Sequence, residues 1–367
     1  MKKSLVALAA LSALGSAFAD IDISGGVKMY GVLDQGLTSQ NVTKNGTSLY
    51  YQGLYASSAT SRLGFKGTRD LGNGLKGEFQ IEQEIWADAA TTMPSKNRGT
   101  FVGLSGKGGT LRLGTQETTA YETFNFDVNG RIEYKPQVWR YTASASAQDR
   151  ANNAIKYISP ELAGFSIHGM MNFAENASNV TASSAFTSVG AKFQNSDKKF
   201  KANLLVDQIT VQDLSYILPG TQNVTLTGAT STGTTITIAE FSVTSSSSAS
   251  TNAIVRTVGA MSYDFENIYV SYIYAKAALG SIGSISTNTF GVRIPYDNFK
   301  FGLSYGNGSI SSDTTATADG TTVTDTTFGA YYNFDKSTSA YFLYSNSTWS
   351  YQSASSVTSA LGVRYNF

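Results

Sequence analysis

Apolar and polar residues alternate with a period of two in segments spread along almost the whole chain, and this pattern restricts it to β-structure with one apolar and one wet face. In the last seven residues, Leu361, Val363, Tyr365 and Phe367 share one face, and Gly362, Arg364 and Asn366 share the other. Phe299, Phe301, Leu303 and Tyr305 alternate with Lys300, Gly302 and Ser304. Leu75, Phe79 and Ile81 stand opposite Lys76, Glu78, Gln80 and Glu82; Phe290, Val292, Ile294 and Tyr296 form another row with Arg293 behind it.

A soluble sandwich shows the same period, so connection lengths must decide. Seven short, turn-rich links can be marked: 70–74, 106–109, 160–164, 195–199, 264–267, 297–298 and 335–337. Each joins two alternating segments. With a lone first strand near Gly26–Gly36 and a last strand at Ser356–Phe367, the seven hairpins give sixteen strands. Between hairpins lie eight longer connections rich in Ser, Thr and Asn. Short turns at one end, long loops at the other and an even strand count are the pattern of an outer-membrane barrel, all-β and antiparallel. Closure matters because an open sheet edge in lipid leaves backbone groups unpaired.

Composition agrees with this. The mean hydropathy of −0.13 is that of a soluble protein, but lipid-facing and lumen-facing residues cancel in any average over a barrel strand. The 21 Tyr and 20 Phe suit strands, and the absence of Cys removes disulfides and thiolate metal sites. With 27 basic and 26 acidic residues there is no excess of positive charge to hold a nucleic acid. At the N-terminus, Lys2 and Lys3 precede an apolar stretch from Leu5 to Leu14, the breaker Gly15 and then Ala17-Phe18-Ala19. This is the make-up of a secretory leader, too short to span a bilayer as a helix. Residues 1–19 are therefore expected to be removed between Ala19 and Asp20, leaving 20–367 as the barrel domain.

Two connections stand apart. Residues 117–152 combine charges with Tyr121, Phe124, Phe126, Tyr134 and Trp139, which argues for a packed loop. Residues 208–251 end in a Ser/Thr-rich run and read as an exposed loop carrying an extended hairpin at Val224–Val243.

Other chemistry finds little support. Gly103-Leu104-Ser105-Gly106-Lys107-Gly108 echoes a phosphate loop, but Gly108 stands where Ser or Thr is required and no helix follows. His168 is the one histidine, which argues against both a metal site and a His-dependent barrel enzyme. Glu82 and Glu84 share a strand face and read as lumen lining. Neither a cofactor nor a metal is expected. An adhesin or structural barrel plugged by its own loops is the remaining alternative.

The stretches Ser61-Arg62-Leu63-Gly64-Phe65-Lys66-Gly67, Asp70-Leu71-Gly72-Asn73-Gly74-Leu75-Lys76 and Phe79-Gln80-Ile81-Glu82-Gln83 resemble the second hairpin of the general trimeric porins of Gram-negative bacteria, in the branch typical of β-proteobacteria. Asn97-Arg98, Phe101-Val102-Gly103-Leu104 and Leu111-Arg112-Leu113-Gly114 resemble the next hairpin, 153–165 the one after, and Phe367 the family's terminal signature. The resemblance implies a homotrimer in outer-membrane lipid. Each barrel would passively admit ions and small hydrophilic solutes through its own pore, narrowed by the third loop, 117–152, folded inward. It implies folding by the barrel assembly machinery through Phe367. It also implies an eyelet in which wall arginines face loop acids. Arg62, Arg112 and Arg150 stand at matching places, Lys66 and Lys76 share the inward parity of their strands, and Glu117, Glu122 and Asp127 are the loop acids. Thr115 stands where the family often has Arg, which reduces the basic side. Lys300 is expected to lie away from the loop, and an Arg at Gly302 to be tolerated in an open aqueous lumen.

Overall fold

The computed structural model describes residues 21–86, 96–130, 149–173, 185–211, 215–216, 223–225, 235–237, 243–244, 252–279, 283–312 and 320–367. In chain order the strands are β1 (Ile21–Ser24), β2 (Val27–Lys44), β3 (Thr47–Tyr55), β4 (Arg62–Gly72), β5 (Leu75–Glu84), β6 (Lys96–Gly106) and β7 (Gly109–Glu117). A 3-10 helix at Ala120–Phe126 precedes β8 (Arg150–Ile158), β9 (Phe165–Asn172), β10 (Ala185–Gln194) and β11 (Phe200–Val211). Four short pieces, β12 (Ser215–Tyr216), β13 (Asn223–Thr225), β14 (Thr235–Thr237) and β15 (Val243–Thr244), pair as β12 with β15 and β13 with β14. These ladders fall where the hairpin at Val224–Val243 is expected. The chain continues through β16 (Asn252–Asp264), β17 (Tyr269–Leu279), β18 (Gly283–Tyr296), β19 (Phe299–Ser312), β20 (Thr322–Asn333), β21 (Thr338–Trp349) and β22 (Ala354–Asn366).

Sixteen positions close into an antiparallel ring. β2 is followed by β4 to β11, then β16 to β22, and β22 returns to β2 from Thr43↔Ser355 to Val32↔Asn366. β1 extends the β22 side of β2 from Met29 to Val27, while β3 and β4 make one interrupted position on its other side. Phe367 completes the seam. Its N–H donates to the Gly31 carbonyl (3.1 Å) and its carbonyl accepts from the Gly31 N–H (2.7 Å). Its ring lies where a Cβ on Gly31 would stand, 2.3 Å from Cζ, so only glycine admits it. Inside the seam, fully buried Asp34 accepts from the Tyr341 hydroxyl (2.7 Å), the Ser58 N–H (3.2 Å) and Arg364 Nε (3.3 Å), which ties β2, β21, β22 and residues 56–61 together.

All seven expected short turns join the expected strands. Leu361, Val363 and Tyr365, Phe290, Val292 and Ile294, and Leu303 and Tyr305 are among the most exposed large apolar side chains of the isolated barrel. They are the surface that lipid covers. Among the described residues no helix is long and apolar enough to cross a membrane; the crossing is made by strands.

Three expectations need correction. Not all eight polar connections are long loops: β2 turns into β3 at Asn45-Gly46, β17 ends at Leu279 with β18 starting at Gly283, and β21 and β22 are separated by one 3-10 turn at Tyr351–Ser353. Polar outward residues such as Ser284 and Ser286 are still strand, because the ladder continues beyond the lipid. Both turn residues of the first hairpin have positive φ (47° and 78°), as a two-residue turn matching strand twist requires, and Asn-Gly supplies them at little cost. The second correction concerns the lumen wall, which is not uniformly polar. Inward-facing Leu205, Val258, Ala260, Ile273 and Ala275 form an apolar patch on β11, β16 and β17. The third concerns Gly302, which does not face open water. A Cβ there would stand 2.3 Å from Asn129 Oδ1, so an Arg would displace the third loop.

Candidate functional site: the charged lumen and the third loop

The third loop leaves β7 at Thr118, whose N–H donates to the Asp149 carbonyl (3.0 Å) and closes the loop's root. From there the described part, 118–130, runs along the inner wall. Ala120, Phe124 and Phe126 bury themselves against the apolar patch on β11, β16 and β17. This contact is what draws the loop inward, since those wall positions would otherwise expose hydrocarbon to a water-filled lumen. Polar contacts fix the register. Thr119 Oγ1 bonds Ser188 Oγ and lies 3.4 Å from Asp207 Oδ1, while Asp207 is ion-paired to Arg256. Val128 and Asn129 of the loop rest on three inward glycines. A Cβ on Gly291 would meet Val128 at 2.6 Å, and on Gly329 would meet Asn129 at 2.6 Å, in addition to the Gly302 contact. The Tyr269 hydroxyl donates to the Asn125 carbonyl and the Tyr331 hydroxyl to the Asn129 carbonyl, each at 3.4 Å. The described part of the loop thus reaches from β7 to β20, on the side of the lumen away from the β2–β6 wall.

On that wall the charges form one network. Glu82 of β5 accepts from Arg98 Nε (2.8 Å) and from the Tyr30 hydroxyl (3.0 Å), with Arg62 Nε at 3.6 Å. Arg98 also reaches Glu84 (3.6 Å). Nearby, Arg150 pairs with Glu117 (3.0 Å) and covers the face of the loop's Tyr121 at 4.9 Å. Three arginines are therefore balanced by three carboxylates. Arg112 stands apart, bonded to Glu78 (2.6 Å) and packed on Phe101. Lys66 lies over the Tyr30 ring at 4.7 Å. Lys76 is exposed beside the β4–β5 turn, opposite Asp70, away from the loop.

The loop acids are not presented across the pore as a row. Glu122 is held against the wall from which the loop starts. It accepts from Lys156 Nζ (3.1 Å), pairs with Lys192, and faces His168 Nδ1 at 3.3 Å. Burial alone would raise its pKa, but the His168 bond and the two lysines outweigh burial and hold the carboxyl well below the usual carboxylate range. Asp127 is buried, and its Oδ1 accepts from the Asn129 N–H (3.0 Å), shaping the turn at 127–130. His168 is thus part of the loop's tether. Ala19 and Asp20 lie outside the described residues, as do Tyr134, Trp139 and residues 131–148 of the third loop. Among the described residues no cluster of three His, Cys, Asp or Glu side chains is placed to hold a metal.

Arg98 is the charged residue that alternation misses. Strict period two puts it with Val102 and Leu104 on the lipid face. The ladder shifts between Glu82 and Gln83, pairing Glu82 with Gly99 and Gln83 with Asn97, so Arg98 is the extra residue of a bulge and turns inward.

Comparison with known proteins places this geometry. The family model described as Gram-negative porin matches residues 5–350. The outer membrane porin protein 32 of Delftia acidovorans is 37% identical over 201 residues, covering 52% of this chain and 55% of that protein. The major outer membrane protein P.IB of Neisseria gonorrhoeae is 34% identical over 197 residues, covering 53% and 54%. The chain thus spans about half the length of the curated relatives it matches. Among solved structures, the anion-selective porin from Comamonas acidovorans aligns with a TM-score of 0.69 at 21% identity, covering 93% of this chain and 99% of that one. The trimer form of OmpT from Vibrio cholerae aligns at 0.65 and 14%, covering 94% and 100%.

Proposed function

The chain belongs to the Gram-negative porin family, and from that premise we propose that it forms a water-filled channel through which ions and small hydrophilic solutes diffuse passively across the outer membrane. The observation that carries this reading is that residues 118–130 of the third loop are seated on one half of the wall, facing a charged lumen on the other half. A narrow aqueous path with low-dielectric walls focuses the field of a few fixed charges, so Arg62, Arg98 and Arg150 with their carboxylates govern which ions pass. Of the expected constriction residues, Arg62, Arg150 and Glu117 belong to this network. Lys66 and Arg112 lie along the same wall, Lys76 lies at the periplasmic mouth, and Glu122 and Asp127 hold the loop in place. Transport of this kind needs no catalytic group, and the family match does not favour an adhesin. Uptake of sugars of increasing size into proteoliposomes tests the reading: rates should fall steeply with solute size, and no uptake of any sugar would refute it.

The same reading extends to assembly and export. A homotrimer is supported by the family and by the trimer form of the Vibrio cholerae neighbour. Residues 1–19 act as a leader cleaved between Ala19 and Asp20, and Phe367, seated on Gly31 at the seam, is the residue the barrel assembly machinery engages before closure.

A further inference from the structure

Below residues 128–130 of the loop, on the wall opposite the arginine network, two cations stand without an ion-pair partner among the described residues. Arg293 of β18 faces inward, only 8% exposed, with its guanidinium 4.1 Å from the centre of the Tyr269 ring. Lys300 of β19 faces inward with its Nζ 4.3 Å from the centre of the Tyr331 ring. Arg293 pairs with Gly302 and Pro295 with Lys300, so the two cations are diagonal neighbours on one face, roughly 7 Å apart by strand geometry. Among the described residues neither makes an ion pair or a hydrogen bond. Lys201 acts on Arg293 from β11, and Arg364 acts on Lys300 from β22, both with the same sign of charge. Of the acids in the neighbourhood, Asp34 is paired with Arg364, Asp127 accepts the Asn129 N–H, and Asp264, which accepts the Glu266 N–H, acts on Arg293 with the opposite sign but is not within ion-pair distance of it.

Like charges gathered in a half-buried recess repel one another, and the repulsion is relieved when an anion sits between them. The two rings fix the cations in place. Each tyrosine hydroxyl is bonded to the third loop, at Asn125 or Asn129, so each ring face is presented at a fixed height. A guanidinium offers a planar fork that matches two oxygens of one oxyanion, and the ammonium adds a third donor. We propose that Arg293 and Lys300, backed by Tyr269 and Tyr331, form an oxyanion-binding station between residues 125–129 of the loop and the β18–β19 turn, on the periplasmic side of the constriction. It takes small phosphates and carboxylates, and it is separate from the Arg62–Arg98–Arg150 network. Placed there, it holds an anion that has passed the loop. The proposal rests on the channel reading for its purpose, but not for its detection.

Calorimetric titration of the detergent-extracted protein with inorganic phosphate, and separately with succinate, tests it at low salt. Saturable binding is expected, with affinity falling about tenfold or more in Arg293→Gln/Lys300→Gln, because hydrogen bonds between charged partners are lost. Arg293→Lys should give an intermediate loss, since it keeps the charge and removes the fork. Lys107→Gln, in the β6–β7 turn, should bind as the parent does. Lys300→Gln alone, checked for native electrophoretic mobility, covers the case in which the double variant does not fold. Absence of saturable binding to either anion, or equal affinity in the folded Lys300→Gln or double variant and the parent, overturns the station. Binding that depends on these residues in a protein that passes no sugar would sink the channel reading alone.

Discussion

Leu303→Arg tests the facing of the strands, on which the barrel and the lumen both depend. Leu303 lies on β19 between Val292 and Phe328, points outward, and is 52% exposed on the isolated barrel. It is five residues beyond the turn residue Asn298. At ~3.4 Å per residue and a tilt of about 40°, this puts it ~13 Å above the turn, near the middle of an apolar band about 25 Å tall. An arginine facing lipid at that depth should cost about 2–4 kcal/mol. Thr68→Arg on β4 is the control. It lies at a comparable distance from its turn, is exposed toward the lumen, and stands opposite Glu78, so its cost should stay within about 0.5 kcal/mol. Urea unfolding in lipid vesicles, followed by tryptophan fluorescence, measures both. Equal costs at the two positions would mean that the assigned faces are wrong, and a negligible cost at Leu303 would mean that β19 does not cross the membrane.

Arg62→Ala removes a cation beside Glu82, and the reversal potential in a salt gradient should move toward cation preference, with Lys107→Ala unchanged; equal shifts would take Arg62 out of the constriction. Glu122→Gln leaves Lys156 and Lys192 without their carboxylate, which should loosen the third loop at a cost of about 3 kcal/mol and appear as added noise in single-channel recordings. Because the folded pKa of Glu122 lies below its unfolded value, its stabilisation is fully present above the unfolded pKa of ~4.3 and is lost progressively as pH falls from there through the folded pKa. Channel noise in the parent should therefore stay constant from pH 7 to about pH 5.5 and grow only below about pH 4.5, and a rise near pH 6 would contradict the tether. Detergent-extracted protein should migrate as a large species that becomes monomer on heating, whereas a monomer under all mild conditions would sink the trimer.

The strand ring was legible in the sequence because period-two alternation and tight turns are local signals. Leu361, Val363 and Tyr365 carry their facing in their spacing, and Asn73-Gly74 or Asp297-Asn298 carry the turns. The third loop was legible as packed, through Phe124 and Phe126, but its docking surface was not. Val258, Ala260, Ile273 and Ala275 sit at inward positions, where small and β-branched residues read as ordinary strand until loop and wall are brought together. Arg98 was hidden by a one-residue bulge, which no periodic reading can place. Gly291, Gly302 and Gly329 are far apart in sequence and become a seat for Val128 and Asn129 only once three strands are in register. The wall arginines Arg62 and Arg112, expected to face loop acids, pair instead with carboxylates of β5, because Glu82 and Glu78 lie within their reach on the same wall.

Single-channel recording in planar bilayers tests the central claim most directly. Purified protein added to a bilayer in potassium chloride should produce stepwise increases of long-lived current that scale with salt concentration, as a water-filled path requires. Insertion that yields a folded, heat-modifiable barrel in the bilayer but no conductance steps would show that the third loop closes the lumen, and would contradict the channel.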